Sequence, residues 1–156
     1  MATAWHTVVL SHKSDILSLW MERLLVLYEG KIASSSPFKD ALEAALDTVL
    51  TYAHNANDNL DSALFEVSRI FAVQEMQPSK ALSLFFELLP IMQKFSSADG
   101  HNAALITREY EVMRLRLEGL TLQLFDSFMM HKEKIFQLKL DELKRRLFMQ
   151  LRRTEV

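Results

Sequence analysis

Five histidines are the side chains in this chain best suited to metal or proton chemistry: His6, His12, His54, His101 and His131. Two imidazoles grip one ion when they stand four apart on a helix, as in the H-E-x-x-H pattern, and no two of the five are so spaced. A mononuclear metal centre would need unrelated segments to converge, so no metal is expected. His131 follows Met129 and Met130 in a helical stretch. A lone histidine in an all-helical body raises the reading of a haem ligand, and the simpler reading is a half-exposed helical residue. His54 and His101 fall at expected helix breaks and are read as solvated.

Carboxylates give no better chemistry. Glu109 and Glu111 do not share a helix face, and Glu22 and Glu29 form no acid–base pair. Asp126 lies between Phe125 and Phe128 and is read as a surface residue between two core ones. A Ser-His-Asp arrangement and a G-x-S-x-G elbow are both missing from the sequence. Gly30, Gly100 and Gly119 are isolated, which rules out a glycine-rich phosphate cradle. The chain has no cysteine, which excludes a thiol nucleophile, a disulfide framework and Cys-ligated zinc. The chain is therefore not expected to be an enzyme or to carry a cofactor.

The elements that would position these residues follow from composition and period. With 3 Gly and 3 Pro in 156 residues, turn-formers are too few to punctuate a multi-stranded sheet. The fold class is all-α: a single domain, 1–156, built as a bundle of about five to six helices. The first helix runs from Trp5 to Tyr28, with Ile16, Leu17, Trp20, Leu24 and Leu27 on one face, a restart near Ser14 and a stop at Gly30. Ser36-Pro37 caps and opens the second helix. The polar run from His54 to Asn59 is a turn, and Asp58 caps a third helix that ends by Met76. Pro78 opens a fourth, apolar nearly all round, with Pro90 inside it. It reads as the central and most buried element.

At the corner between the third and fourth helices stand Arg69, Gln74, Pro78 and Ser79. The Gln74 side chain is placed to reach the open N–H groups that Gln77 caps poorly, locking the junction. A small-ligand or haem pocket, if one exists, would gather Trp20, Phe85, Phe86 and Phe125 with His131.

From Asn102 to Arg153 there is no proline and one glycine, Gly119. One helix of that length would be roughly 75 Å long, beyond the diameter of the domain. The division is a globular body, 1–130, and a helical extension, 131–153. Ile135, Phe136, Leu140, Leu143, Leu147 and Leu151 are spaced like a heptad seam. Met130 to Glu133 holds no reversal signal, so a continuous helix is expected, with its seam covered by a second copy of the chain in a homodimer. Residues 131–156 hold eight Lys or Arg against four Asp or Glu, and the rest of the chain holds ten against sixteen. The tail is thus net positive on a negative body. Glu133, Asp141 and Glu142 dilute its basic run, so no nucleic-acid partner is expected. No apolar stretch reaches the ~18 residues of a membrane span, and the first nine residues have no basic leader, which points to a cytoplasmic protein without an integral membrane segment.

Arg69-Ile70-Phe71-Ala72-Val73-Gln74, followed by Pro78-Ser79-Lys80-Ala81, resembles the signature corner of the RsbRD N-terminal domain family. This is the sensor module of stressosome RsbT co-antagonists. Phe125-Asp126-x-Phe128, Lys132-Glu133-Lys134-Ile135-Phe136 and Glu142-Leu143-Lys144-Arg145-Arg146 resemble the family's last helix. His12-Lys13-x-x-Ile16-x-x-x-Trp20 is similar to its opening. The resemblance implies a globin-like helical sensor or protein-interaction module in signal transduction, regulatory or scaffolding, here a stand-alone member without a STAS domain. Two positions depart from the family: Phe71 stands where it carries Arg, and His131 where many members carry Cys. The alternatives are a haem- or small-ligand-binding sensor, and a basic-tail adaptor at a membrane surface or membrane redox complex through Lys144, Arg145, Arg146, Arg152 and Arg153.

Overall fold

A computed structural model describes residues 4–28, 31–32, 36–98 and 103–155. Gly30, Gly100 and His101, and the stops and turns expected at them, lie outside the described residues. Every element is helical: α1 (Ala4–Leu27), α2 (Pro37–Tyr52), α3 (Asp58–Val73), α4 (Pro78–Leu82), α5 (Leu84–Ala98) and α6 (Ala103–Thr154). The chain is an all-α single domain with a long C-terminal helix. α1 packs on α2 and α5, α2 on α3, α3 on α6 and α6 on α5, so the five longer helices close a ring of neighbours around one core.

Local chemistry sets the boundaries. Ser36 Oγ accepts from the Phe38 N–H at 3.1 Å, and Pro37 takes the first helical position. Asn57, rather than Asp58, caps α3, with its Oδ1 accepting from the Asn59 N–H at 2.7 Å. The interruption in α1 falls at His12 (φ −126°, ψ 17°), two residues before Ser14. The expected fourth helix is two. Ser83 ends α4: its N–H reaches the Ser79 and Lys80 carbonyls, and its hydroxyl donates to the Ser79 carbonyl at 2.7 Å. Such back-bonding competes with the regular ladder and bends helices. Pro90 lies inside α5 and deprives the Phe86 carbonyl of its helical donor.

The expectation that this segment is the most buried is corrected by the packing. Leu84, Phe85, Leu88, Ile91 and Met92 are buried, but Phe86 is exposed and Leu89 half-buried. α3 has the better claim, with eight buried residues from Leu60 to Ala72 between α2 and α6. Trp20, fully buried, pins α1 to the start of α5 by donating its indole N–H to the Leu84 carbonyl at 2.9 Å.

The corner after α3 is locked by backbone. The Met76 N–H donates to the Phe71 carbonyl and the Glu75 N–H to the Ala72 carbonyl, the two bonds of a Schellman cap. Met76 and Phe71, the pair such a cap brings together, are both buried. The residue in the left-handed position is Glu75 (φ 53°), where glycine is usual. The expected Gln74 lock is not made. Gln74 is the half-buried C-cap, its backbone N–H pairs with the Ile70 carbonyl, and its side chain holds no hydrogen bond among the described residues.

These backbone features set measurable stabilities. The left-handed conformation costs a residue with a Cβ roughly 1–2 kcal/mol, against which the exposed Glu75–Lys139 ion pair returns at most about 1 kcal/mol. Glu75→Gly should raise unfolding stability by about 0.5–1 kcal/mol in urea titration, while Met76→Ala costs about 2–5 kcal/mol and Gln74→Ala changes little. Gly119 sits inside α6, and the place a Cβ would take there has no neighbour within 4 Å. Gly119→Ala should therefore add about 0.5–1 kcal/mol, read as a higher melting temperature.

Candidate functional site

The residues singled out for a ligand pocket do not surround one. Trp20 and Phe85 are buried together, ring centroids 6.1 Å apart. Phe86 lies on the surface, and Phe125 is 40% exposed rather than in the core face of α6. His131 is buried rather than half-exposed. Its Nε2 lies 3.2 Å from the Phe65 carbonyl and its ring meets Phe65 edge-on at 4.4 Å. That nitrogen is engaged in tying α6 to α3, and the five residues fit neither a haem nor a shared small-ligand cavity. Asp126 is exposed, as expected. Among the described residues no group of three or more His, Asp or Glu could hold a metal ion.

His54 is half-buried rather than solvated. Its ring stacks on His6 with centroids 3.5 Å apart. Burial, and then the charge of His54, hold the His6 imidazole below its ordinary pKa. His131 is also held down, first by burial and further by Arg69 and Lys134. The Phe65 carbonyl and Glu66 act in the opposite sense. Of the corner residues, Arg69 makes a two-pronged ion pair with Glu66 inside α3 and takes no part in the cap. Pro78 opens α4, and the Ser79 carbonyl accepts from Ser83.

Among the described residues, most of the exposed large apolar side chains are on α6. At 52 residues the helix is roughly 78 Å long. One face carries Met113, Leu117, Leu120, Leu124, Phe128 and His131, all buried against the body, and ends in half-buried Ile135. Ile135 therefore belongs to the body-facing stripe and not to the free seam. Arg116 and Gln123 fasten the same stretch, donating to the Ala53 carbonyl and to Asp61, each at 2.7 Å. Furthest along the helix, the Lys139–Glu75 ion pair at 3.3 Å ties it to the corner after α3. From about that point on the helix is held by its own side chains: Gln137 with Asp141 across the contact, and Glu142 with Arg145 and Arg146 beyond it. Such pairs stabilise a helix by about 0.2–0.5 kcal/mol each.

On the opposite side, Phe136, Leu143, Leu147 and Leu151 of the expected seam are exposed and Leu140 half-buried. The exposed stripe also reaches back along the body, beyond where the seam was expected to start. Leu115, Leu122, Met129, Phe136 and Leu143 stand seven residues apart, and all five are exposed. At about 100° per residue they share one side of the helix, away from the buried stripe. The seven-residue spacing is visible in the sequence, but a seam counted only from Ile135 onward passes over it.

Known proteins add little to this geometry. No family model matches the chain. An uncharacterized protein from the archaeon Archaeoglobus fulgidus is 25% identical over 133 residues, covering 83% of each chain. No solved structure matches. Among the described residues no helix is long and apolar enough to cross a membrane, α6 included.

The two histidines give a pH outcome. A histidine whose folded pKa lies below its unfolded value of about 6.5 contributes stability that is complete above that value and is lost as pH falls through the folded one. Thermal melts should thus show a falling midpoint as pH drops from about 7 to 5. His131→Gln should flatten the part of that fall due to His131.

Proposed function

We propose that this chain is a non-enzymatic protein-interaction module, regulatory or scaffolding in role, that acts through its C-terminal helix and is a homodimer. The observation that carries the reading is the row of exposed apolar side chains along α6 from Leu115 to Leu151, opposite the face packed on the body and shared with Glu118 and Glu133. Isolated exposed leucines are ordinary on a surface, but a contiguous apolar stripe marks an interaction site. Heptad spacing gives that stripe the form that fits another helix. The resemblance to the sensor modules of stressosome co-antagonists agrees with such a role, since those modules work by binding protein, and a cytoplasmic setting belongs to the same reading.

The body supports this assignment by what its polar groups are engaged in. His131 ties α6 to α3, Arg69 pairs within α3 and Arg116 caps α2, so these groups hold the scaffold that presents the helix. The basic-tail alternative, an adaptor at an anionic surface, draws on Lys144, Arg145, Arg146, Arg152 and Arg153. Arg145 and Arg146 are already paired with Glu142, which leaves the apolar stripe as the stronger attraction.

Light scattering at tens of micromolar should give twice the 18.1 kDa chain mass. Leu143→Asp with Leu147→Asp should weaken association at least a hundredfold while the helical circular dichroism is kept, because burying one Leu contributes roughly 1.5–3 kcal/mol. A monomeric mass for the unmutated chain overturns the proposal. So does a double variant that unfolds, since the stripe would then belong to the domain's own core.

A further inference from the structure

The exposed stripe of α6 is nearly symmetric about its middle, and its charges are not. Leu115 and Leu151 end it, and Glu133 stands halfway between them. The half before Glu133 is body-backed on its other face, and the half after it is free beyond Lys139. Residues 103–130 hold three Lys or Arg against four Asp or Glu, a net of −1, whereas residues 131–156 hold eight against four, a net of +4. A second helix laid on this stripe therefore meets very different fields in its two possible directions.

We propose that a second copy of the chain docks on this stripe antiparallel, with the pair centred near Glu133 and the whole span from Leu115 to Leu151 buried on both chains. This rests on the homodimer reading above and adds its direction, its register and the participation of the body-backed half. Parallel pairing would set +4 beside +4 over the same two dozen residues, with Lys144 near its own image. Antiparallel pairing sets the basic half of each chain beside the mildly acidic half of the other. Like charges across a helix pair disfavour one orientation and so select the other.

Register follows from the same layout. With Glu133 at the centre, Asp126 of one chain lies across from Leu140 on the other, one helical turn short of Lys144, twice by symmetry. Asp126 and Lys144 are 18 residues apart, five turns, and so project from the same side of α6. Both are exposed and open to a partner on a second chain. Leu115 comes to Leu151 and Leu122 to the neighbourhood of Leu143, so apolar meets apolar toward both ends of the strip, while the two Glu133 side chains meet at its centre. That strip is roughly 55 Å long on a cylinder about 10–12 Å across. It offers on the order of the 800 Å² per partner typical of a stable complex. Each body lies on the far side of its own helix, so the two bodies do not compete for space.

The absence of cysteine allows single-site labelling. Gln150→Cys and Gln137→Cys would each carry one nitroxide per chain, and electron–electron dipolar spectroscopy would measure the distance between the two copies. In the antiparallel arrangement position 150 is displaced 34 residues from its image, about 50 Å, while position 137 is displaced 8 residues, about 12 Å along the axis. A long distance at 150 together with a short one, under about 25 Å, at 137 is the expected result. Short distances at both positions mean parallel helices and overturn the proposal while leaving the homodimer reading intact. Long distances at both mean dimerisation through the bodies and overturn it too. A monomer by light scattering overturns both readings and leaves the stripe to a different protein or to an anionic lipid surface.

Discussion

The body of this protein depends on one side of one helix. Met113, Leu117, Leu120, Leu124, Phe128 and His131 turn toward the bundle, where α3 and α5 close over them. Fixing that face fixes the opposite one. A straight α-helix cannot twist its outer residues inward without drawing the buried ones out, so Leu115, Leu122, Met129, Phe136 and Leu143 are held in water by the same packing that stabilises the domain. The polar ties serve this alignment. His131 on the Phe65 carbonyl, Arg116 on the Ala53 carbonyl and Gln123 on Asp61 hold the rotation of α6 about its axis. The outer stripe is in this sense a by-product of the core that sequence has turned into a surface.

Much of the architecture is legible in the residues because its causes are local. Ser36-Pro37 opens α2 as its chemistry requires, Pro78 opens α4, and the want of a turn signal after Met130 keeps α6 unbroken. Asp58 and Asn57 are adjacent and equally able to cap, so a shift of one residue is what capping chemistry alone allows. Other features are less visible. An apolar count cannot tell Phe85, sealed against Trp20, from Phe86, left in water one residue on. The Ser83 break comes from a hydroxyl competing for a carbonyl, which a serine in sequence does not announce. The left-handed corner is hidden because Glu75, not glycine, occupies it.

The candidate site divides along the same line. The exposed part of the seam, Phe136, Leu143, Leu147 and Leu151, is readable because heptad spacing is a property of the sequence alone. Ile135 is misassigned because adjacent residues differ by about 100° around the axis, and only the position of α3 decides which of Ile135 and Phe136 faces inward. The aromatic pocket fails for a related reason. Trp20 and Phe85 pack together, but Phe86, Phe125 and His131 lie in separate environments, and composition carries no information about convergence.

A rod that is clamped at one end and free at the other is a lever. From the Lys139–Glu75 contact to Thr154 the helix extends roughly 22 Å with no glycine or proline to act as a joint. Any tilt of α6 within the bundle is carried to its tip enlarged, in proportion to the ratio of the two arms, instead of being absorbed at a hinge. The clamp itself is a short set of contacts, among them a buried imidazole and a strained left-handed turn, so small changes there have long mechanical reach.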